Sequence, residues 1–427
     1  MRSLVLPAVP FALLAAACTL GGQSFDLVQS NQPRDTSPNV PAADATELSK
    51  DDAAFAFDLY EHVATDDSQN VFFSPYSISL ALAMTYNGAG GETAQQMASA
   101  LHFSLPVDRL NAAFDSVDLA LATRKNASDE YGKPVQGFAL NVADSLWGDK
   151  TLSIQQPFVD ALGTSYGAGL RIVDFVNAAE PARQTINGWV SDQTNQKIQD
   201  LIPAGDVDSS TRLVLVNAIY FDAPWATPFD PSSTRDEAFT KLDGTSVTAS
   251  AMSNYLETSY AQGDGWQAVE LPYAGNETSM VVVVPDSGKF ASFEQGLTGD
   301  MALSVMSSLS AGASVNVTLP KFEIKGATIS LAQELQDLGM VDAFDPGKAD
   351  FSRIAPEPLY IGDVVHQAFV SVDEAGTEAA AATAVVMAGA AVPEKQVSVD
   401  ANRPFFFFIR DIPTNTLLFV GRVVDPT

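Results

Sequence analysis

A run of small and β-branched residues near the C-terminal end constrains the fold of this chain more than any other feature. From Thr377 to Met387 the sequence contains no glycine, no proline and a single charge, Glu378. In a strand, alternate positions from Thr377 to Met387 would face one side of a sheet, and the charge would fall on the other side. Small side chains would let such a strand enter between two packed strands, where overpacking costs about 1–3 kcal/mol per site. An Ala-rich run is also typical of a helix or a flexible linker, so the pattern alone leaves these alternatives open.

The segment resembles a known protein family. Glu374 and the residues from Gly376 to Thr383 are similar to the reactive-loop hinge of serpins. The resemblance extends over about residues 51 to 425, in blocks that follow the family's order: 70–79, 87–93, 186–190, 197–202, 213–221, 225, 228–229, 319–322, 399–409 and 419–424. It implies an α+β serpin fold with three β-sheets, several α-helices and an exposed reactive loop.

Two positions depart from the family's pattern. Gln196 stands where a glycine usually precedes Lys197. A turn that could use a positive φ is therefore expected to be built in another way. Asp222 replaces a commonly basic residue after Phe221. Neither departure lies in the hinge, so the resemblance still implies protease inhibition.

Length and composition favour one large domain. The chain has 427 residues, of which 46% are hydrophobic and 18% charged, so it can bury a sizeable core. No Pro/Gly-rich linker interrupts the sequence after about residue 48. We expect a signal peptide at 1–17, a disordered tether at 18–48 and a serpin domain at 49–427, with the reactive loop at about 374–398.

The N-terminal segment predicts export. A short basic start precedes an apolar run, Leu4 to Ala17, that is too short to span a bilayer as a helix. Ala15-Ala-Ala-Cys18 resembles a lipoprotein cleavage box, and Cys18 is the single cysteine of the chain. We therefore expect a bacterial serpin lipidated at Cys18, extracellular or held at the cell envelope. The alternative is an ordinary secretory leader with Cys18 incidental.

The strongly acidic composition limits the possible partners. A formal net charge of −29 makes binding to nucleic acid or to anionic lipid headgroups unfavourable. No cluster of Lys and Arg resembles a heparin-type activating patch. We expect a monomer that contacts membranes only through its lipid anchor. The acidity itself serves solubility or, alternatively, the steering of a cationic protease.

Enzymatic and metal-dependent functions are not favoured. Gly163–Gly167 fits the G-x-S-x-G pattern of a hydrolase, but that motif needs a strand before it and Pro157–Leu162 is typical of a helix. His62, His102 and His366 have no Asp or Ser partner at a motif spacing. Isolated histidines without a cysteine cluster give no metal-ligand spacing. We therefore expect neither an enzyme nor a metal or cofactor site.

The resemblance implies a mechanism in which the loop is bait. A serine protease attacks the loop and forms an acyl-enzyme. The cleaved loop, from Gly376 onward, then enters the main sheet as a new strand, and the inhibitor is consumed. Some serpins are instead non-inhibitory binding or chaperone-like proteins, which tend to carry bulky, charged or Pro residues in the hinge. This hinge carries small residues.

The resemblance also locates the scissile bond. The residue fourteen places after Gly376 is Ala390, so the bond between Ala390 and Ala391 is expected to be cleaved, within one or two positions. Ala388–Val392 offers only small side chains. Such side chains suit elastase-like or subtilisin-like proteases and offer no cation to a trypsin-like pocket.

Further site residues follow from the same resemblance. The hinge comprises Glu374, Gly376, Thr377, Glu378, Ala379, Ala380, Ala381, Ala382 and Thr383. Ser77, Asn217 and His366 resemble a polar cluster under the opening of the sheet, although they could be unrelated polar residues satisfied locally.

Two supporting sites complete the prediction. Trp189 resembles a tryptophan at the top of the sheet, where insertion starts, although a large aromatic is also ordinary core. Lys321 and Glu374 resemble the ion pair at the base of the loop. That pair could equally be an exposed contact worth less than about 1 kcal/mol.

Overall fold

The computed structural model describes residues 25–126, 138–325, 328–377 and 397–427. The helices in these ranges are α1 (Ala42–Val63), α2 (Pro75–Tyr86), α3 (Gly91–Ala100), α4 (Val107–Thr123), α5 (Gln156–Tyr166), α6 (Phe175–Gln193), α7 (Phe290–Gln295), α8 (Gly299–Ser308) and α9 (Ala332–Asp337). The strands are β1 (Asp26–Val28), β2 (Val71–Phe73), β3 (Ala139–Asp149), β4 (Leu170–Val173), β5 (Leu213–Pro224), β6 (Arg235–Thr240), β7 (Ser246–Gly263), β8 (Trp266–Pro272), β9 (Thr278–Pro285), β10 (Ser310–Pro320), β11 (Phe322–Lys325), β12 (Ile329–Ser330), β13 (Asp363–Val372), β14 (Gly376–Thr377), β15 (Val397–Asp400), β16 (Phe405–Asp411) and β17 (Thr416–Val423).

The first sheet has eight strands among the described residues. Their order is β1-β4-β3-β5-β14-β13-β11, and β12 pairs with β13. β5 and β13 are parallel neighbours from the Val214–Asp363 pair to the Tyr220–Phe369 pair. We call this line of contact the seam. Above the seam the two-residue strand β14 separates β5 from β13 and is antiparallel to both.

In the part of the chain that the structure describes, the second hydrogen-bonded sheet has nine strands. Their order is β15-β10-β7-β8-β9-β16-β17-β2, with β6 paired to β7. Among the described strands, β7 alone joins the two halves of this sheet. Most of its length pairs with β6 and β10, whereas its last residues, 260–263, pair with β8. The described strands therefore form two hydrogen-bonded sheets where the sequence predicted three, because β7 continues from one half of the second sheet into the other.

The central helix α2 packs beneath the first sheet. Every residue from Pro75 to Thr85 is buried, as expected for a helix that is apolar on all sides. Ser74 caps the helix, because its hydroxyl accepts a hydrogen bond from the Ser77 backbone N–H at 3.2 Å. Pro75 takes the first helical position, where its missing N–H costs nothing.

The opposite face of the seam is covered by α6. Ile186 and Val190 of this helix belong to one apolar cluster with Val214 and Val216 of β5 and Val365 of β13. The seam thus lies between α2 on one face and α6 on the other. A strand that entered the seam would have to separate β5 from β13.

The prediction of a disordered tether at 18–48 is wrong for residues 25–48. Asp26–Val28 adds the edge strand β1 to β4, and α1 begins at Ala42. Arg34 forms ion pairs with Asp115 at 2.7 Å and with Asp118 at 2.5 Å, both on α4. Composition favoured disorder, but these partners lie far away in sequence.

None of the helices in the described part of the chain is long and apolar enough to cross a membrane.

The expectation for Gln196 is also wrong. Its φ is 65°, and that of Asn195 is 50°, so both adopt the left-handed conformation. The Gln196 N–H donates to the Ser191 carbonyl at 2.7 Å. The turn therefore keeps a positive φ without glycine, at a local cost of about 1–2 kcal/mol.

Candidate functional site

The top of the seam is where the predicted hinge enters the sheet. Gly376 pairs with Pro224, and Thr377 pairs with Ala223 on β5. On its other side Thr377 pairs with Val372 of β13. The first two residues of the hinge after Ala375 are thus already a strand between β5 and β13.

Gly376 is required here by close backbone contact. A Cβ at this position would lie 2.2 Å from the Ala223 carbonyl oxygen and 2.7 Å from the Pro224 Cα. Both contacts are with backbone atoms, which cannot turn away as a side chain can. Only glycine lets the chain approach β5 this closely.

Thr377 is sealed inside the sheet. It has no exposed surface, and its hydroxyl lies 2.6 Å from the hydroxyl of Tyr273. The ring of Tyr273 stacks on Trp225 with centroids 4.6 Å apart. Trp225 in turn donates its indole N–H to the Asp373 carbonyl at 2.9 Å and its backbone N–H to the Ala375 carbonyl at 2.9 Å. The entry point is therefore rigid on its inner face.

Glu374 anchors the base of the loop. Its carboxylate accepts hydrogen bonds from Lys321 and from the Thr234 hydroxyl, each at 2.7 Å. Burial raises the pKa of Glu374, but these two bonds outweigh burial and hold the pKa below its usual range. Phe229 adds a backbone bond to the Glu374 carbonyl at 2.9 Å. Since Lys321 is well exposed, the ion pair contributes less than about 1 kcal/mol.

The tryptophan at the top of the sheet is Trp225, not Trp189 as the resemblance implied. Trp189 lies on α6 and packs edge-on against Trp147 of β3, with centroids 5.8 Å apart. Trp147 is the register partner of Val214 on β5, whereas the hinge enters beside Pro224. Ten residues of strand, or about 33 Å, separate the two ends.

The structure brings Ser77, Asn217 and His366 together beneath the seam. The Asn217 amide nitrogen donates to the Ser77 hydroxyl at 2.5 Å, and a ring nitrogen of His366 hydrogen-bonds the Asn217 amide oxygen. The other ring nitrogen accepts the Ser74 backbone N–H at 3.2 Å. Burial lowers the pKa of His366 to about 3, so the ring is neutral. A side-chain bond therefore crosses the seam from β13 to β5.

Sequence reasoning missed one member of this cluster, Asp144 of β3. Its Oδ1 accepts from the Ser77 hydroxyl at 2.7 Å and from the Asn217 amide at 2.6 Å. The signal was Asp144 itself, the one charged residue in the strand stretch Ala139–Gly148. Its side chain faces inward because Asp144 is the register partner of Asn217.

Several predicted site residues lie outside the described part of the chain. They are Glu378, Ala379, Ala380, Ala381, Ala382 and Thr383 of the hinge, Ala390 and Ala391 of the reactive bond, and Cys18. Within the described ranges no group of three or more His, Cys, Asp or Glu side chains could hold a metal ion.

Comparison with known families decides the relationship. A family model described as "Serpin (serine protease inhibitor)" matches residues 50–426. The chain belongs to the serpin family. The two sheets that pack against α2 and the strand β14 at the top of the seam agree with this match.

Known relatives include serine protease inhibitors. This serpin is 39% identical to human antithrombin-III over 391 residues, which cover 89% of this chain and 82% of antithrombin-III. It is 38% identical to the leukocyte elastase inhibitor of Xenopus tropicalis over 380 residues, 87% of this chain and 97% of that protein.

Solved serpin structures share the fold. The thermophilic serpin tengpin in its native state has a TM-score of 0.79 at 30% identity, covering 93% of this chain and 97% of tengpin. Uncleaved ovalbumin has a TM-score of 0.76 at 26% identity, covering 89% of this chain and 100% of ovalbumin.

Proposed function

We propose that this serpin is a suicide inhibitor of serine proteases that traps the acyl-enzyme by inserting its cleaved loop into the eight-stranded sheet. The observation that carries the proposal is β14, whose two residues already lie between β5 and β13. The residues that follow Thr377 in the sequence are small, so they suit the space between two packed strands.

The strand pairing at the seam indicates why insertion would lower the free energy of the protein. β5 and β13 pair in parallel over seven register pairs, from Asp363–Val214 to Phe369–Tyr220. A strand that continues β14 would be antiparallel to both neighbours and would replace one parallel ladder by two antiparallel ones. Antiparallel pairing is somewhat more stable per residue, and each added hydrogen bond contributes about 0.5–1.5 kcal/mol.

The faces of the inserted strand also match the sheet. Thr377 and its partner Ala223 share the inner face with Asn217 and Tyr273. Alternate residues after Thr377 would follow onto this face, and Glu378 would fall on the outer one. The only charge between Thr377 and Met387 would therefore avoid the core.

The loop sequence supports an elastase-like or subtilisin-like target. Cleavage between Ala390 and Ala391 would present only small side chains to the protease pocket. The leukocyte elastase inhibitor among the relatives is consistent with this class. We also propose that the protein is exported and held at the membrane by acylated Cys18. Because the ordered body begins by residue 25, seven residues would keep it within about 25 Å of the anchor.

Incubation with pancreatic elastase, subtilisin and trypsin tests the inhibitory function. We expect elastase or subtilisin to form an SDS-stable complex and to release a C-terminal peptide that begins within two residues of Ala391. Mass spectrometry of that peptide identifies the bond. Cleavage by every protease without a covalent complex would show that the chain is a non-inhibitory binding or chaperone-like serpin.

A further inference from the structure

A chain of hydrogen bonds runs across the seam and ends on Asp144. The Ser74 backbone N–H donates to His366, and Asn217 donates from its amide nitrogen to Asp144 Oδ1 at 2.6 Å. Oδ1 accepts whether the carboxyl is ionised or protonated on Oδ2, so Asp144 holds the Asn217 amide nitrogen toward itself. The amide oxygen then faces His366, whose Nδ1 must carry the proton. The Ser74 N–H at one end and Asp144 at the other thus fix the direction of the bonds between them.

The bond between His366 and Asn217 is the one that insertion must break. These residues are register partners on opposite sides of the seam. Their side chains join β13 to β5 below the point where β14 ends. Whatever strengthens or weakens the orientation of Asn217 therefore acts on opening of the seam.

Only one oxygen of the Asp144 carboxyl is hydrogen-bonded in the closed seam. Its Oδ2 is buried and has no hydrogen-bond partner among the described residues. Asp118 on α4 is a nearby negative charge and is itself ion-paired with Arg34. Tyr76 on α2 and neutral His366 on β13 are titratable groups that face the cluster, and Arg34 and Asp52 on α1 also act on Tyr76. Burial, aided by Asp118, raises the pKa of Asp144 well above its usual range despite the bonds from Ser77 and Asn217.

We propose that Asp144 is a positioning residue for insertion, which orients Asn217 across the closed seam and makes opening of the seam respond to pH. The inference rests on the proposed inhibitory function. The closed form binds the Asp144 proton more tightly than a form in which the open seam admits water to Oδ2. Its stabilisation by that proton is complete below about pH 4 and is lost as pH rises through the raised pKa. Opening should therefore become easier as pH rises.

Uptake of a synthetic peptide tests this without a protease. The peptide has the sequence of residues 377–390 and carries a fluorophore, and under the proposed mechanism it would enter the seam as an extra strand. Its rate of incorporation into the intact protein is measured by native gel from about pH 5 to about pH 9. Asp144→Asn keeps the size and an acceptor oxygen but cannot ionise. Asp52→Asn is the matched control, since Asp52 is also fully buried but lies on α1.

We expect wild-type uptake to accelerate several-fold over this range, by less than about tenfold per pH unit because one proton is involved. D144N should incorporate the peptide slowly at every pH, and D52N should keep the wild-type rise. A D144N profile that rises like the wild type would overturn the proposal, as would a flat wild-type profile. If D144N does not fold, a rise that persists in both D52N and Asp222→Asn supports the proposal, and a rise that is lost in Asp222→Asn overturns it.

The two experiments distinguish a failure of the proposed inhibitory function from a failure of the proposed role of Asp144. A wild-type protein that takes up no peptide at any pH and forms no covalent protease complex refutes inhibition. A protein that forms such complexes but shows no effect of Asp144 on the pH profile refutes only the role of Asp144.

Discussion

The hydroxyl of Thr377 lies 2.6 Å from the hydroxyl of Tyr273, and neither residue has exposed surface. The first hinge side chain is therefore already in the interior that the rest of the loop would have to enter. Its environment shows what an inserted side chain must be: small, uncharged and able to satisfy or avoid a buried hydroxyl.

Thr377→Arg should turn the inhibitor into a substrate. The substitution places a cation in the sheet interior, where an unpaired charge costs several kcal/mol, so insertion should become slower than deacylation. The measurement is the ratio of cleaved to covalently complexed protein on a denaturing gel. Thr377→Val is the control, because it adds no charge and costs about 1–3 kcal/mol for the lost bond to the Tyr273 hydroxyl, so it should still inhibit. Wild-type stoichiometry in T377R would contradict insertion of this loop.

Gly376→Ala should displace β14 from the sheet. The new methyl group would lie 2.2 Å from the Ala223 carbonyl oxygen, so the strand must shift, at a cost of about 1–3 kcal/mol. We expect a lower melting temperature for the intact protein. Gly296→Ala is the matched control, since its nearest atoms lie 3.7 Å away and its φ is −94°. Equal melting of both variants would refute the close contact.

The sequence predicted those site residues whose contact partners also lie in recognisable motifs. The Lys321–Glu374 pair and the cluster of Ser77, Asn217 and His366 both followed from the resemblance. Motif order suffices to predict these residues, because the position of each is determined by its own strand or helix.

The sequence did not show which of two tryptophans lies at the top of the sheet. It also did not show that the N-terminal segment from residue 25 is folded. Trp189 and Trp225 both lie in matching blocks, and only the register of β5 shows which end of the sheet each occupies. Arg34 finds its acidic partners 81 and 84 residues along the chain. Composition does not encode such long-range pairing. Asp144 was missed because its importance depends on which face of β3 it occupies.

Asp222→Asn should stabilise the intact protein at neutral pH. Burial raises the pKa of Asp222 to about 6, and Asp373 adds to this, while Tyr220 and Lys197 oppose it. The stabilisation from its proton is complete below about pH 4 and lost as pH rises through about 6. Since Asp222 is partly exposed, we expect a gain of about 1 kcal/mol near pH 8 and none near pH 4. Thermal unfolding at both pH values measures the difference, and an equal gain at both would refute this explanation.

Cys18→Ala should release the protein from membranes. If Cys18 is acylated, several acyl chains anchor the mature protein stably, whereas one would bind only marginally. Fractionation of the producing cells should find the wild type with the membranes and the variant in the soluble exported fraction. A wild type that is soluble, with an unmodified N terminus beyond residue 18, would indicate a plain secretory leader.

Nicking the reactive loop should raise the melting temperature. A metalloprotease forms no acyl-enzyme and cannot be trapped, so the cleaved loop is free to continue β14 down the seam. About a dozen inserted residues, each contributing about 1 kcal/mol, would raise the midpoint by more than about 10 °C.

Nicked T377R is the control for this experiment, because its loop is cut in the same way but carries a cation that resists insertion. Calorimetry of intact and nicked forms of both proteins separates insertion from simple cleavage. We expect a large rise for the wild type and little or none for T377R. Equal midpoints for intact and nicked wild type would mean that the parallel pairing of β5 and β13 is the stable form, and the chain would then be a non-inhibitory serpin.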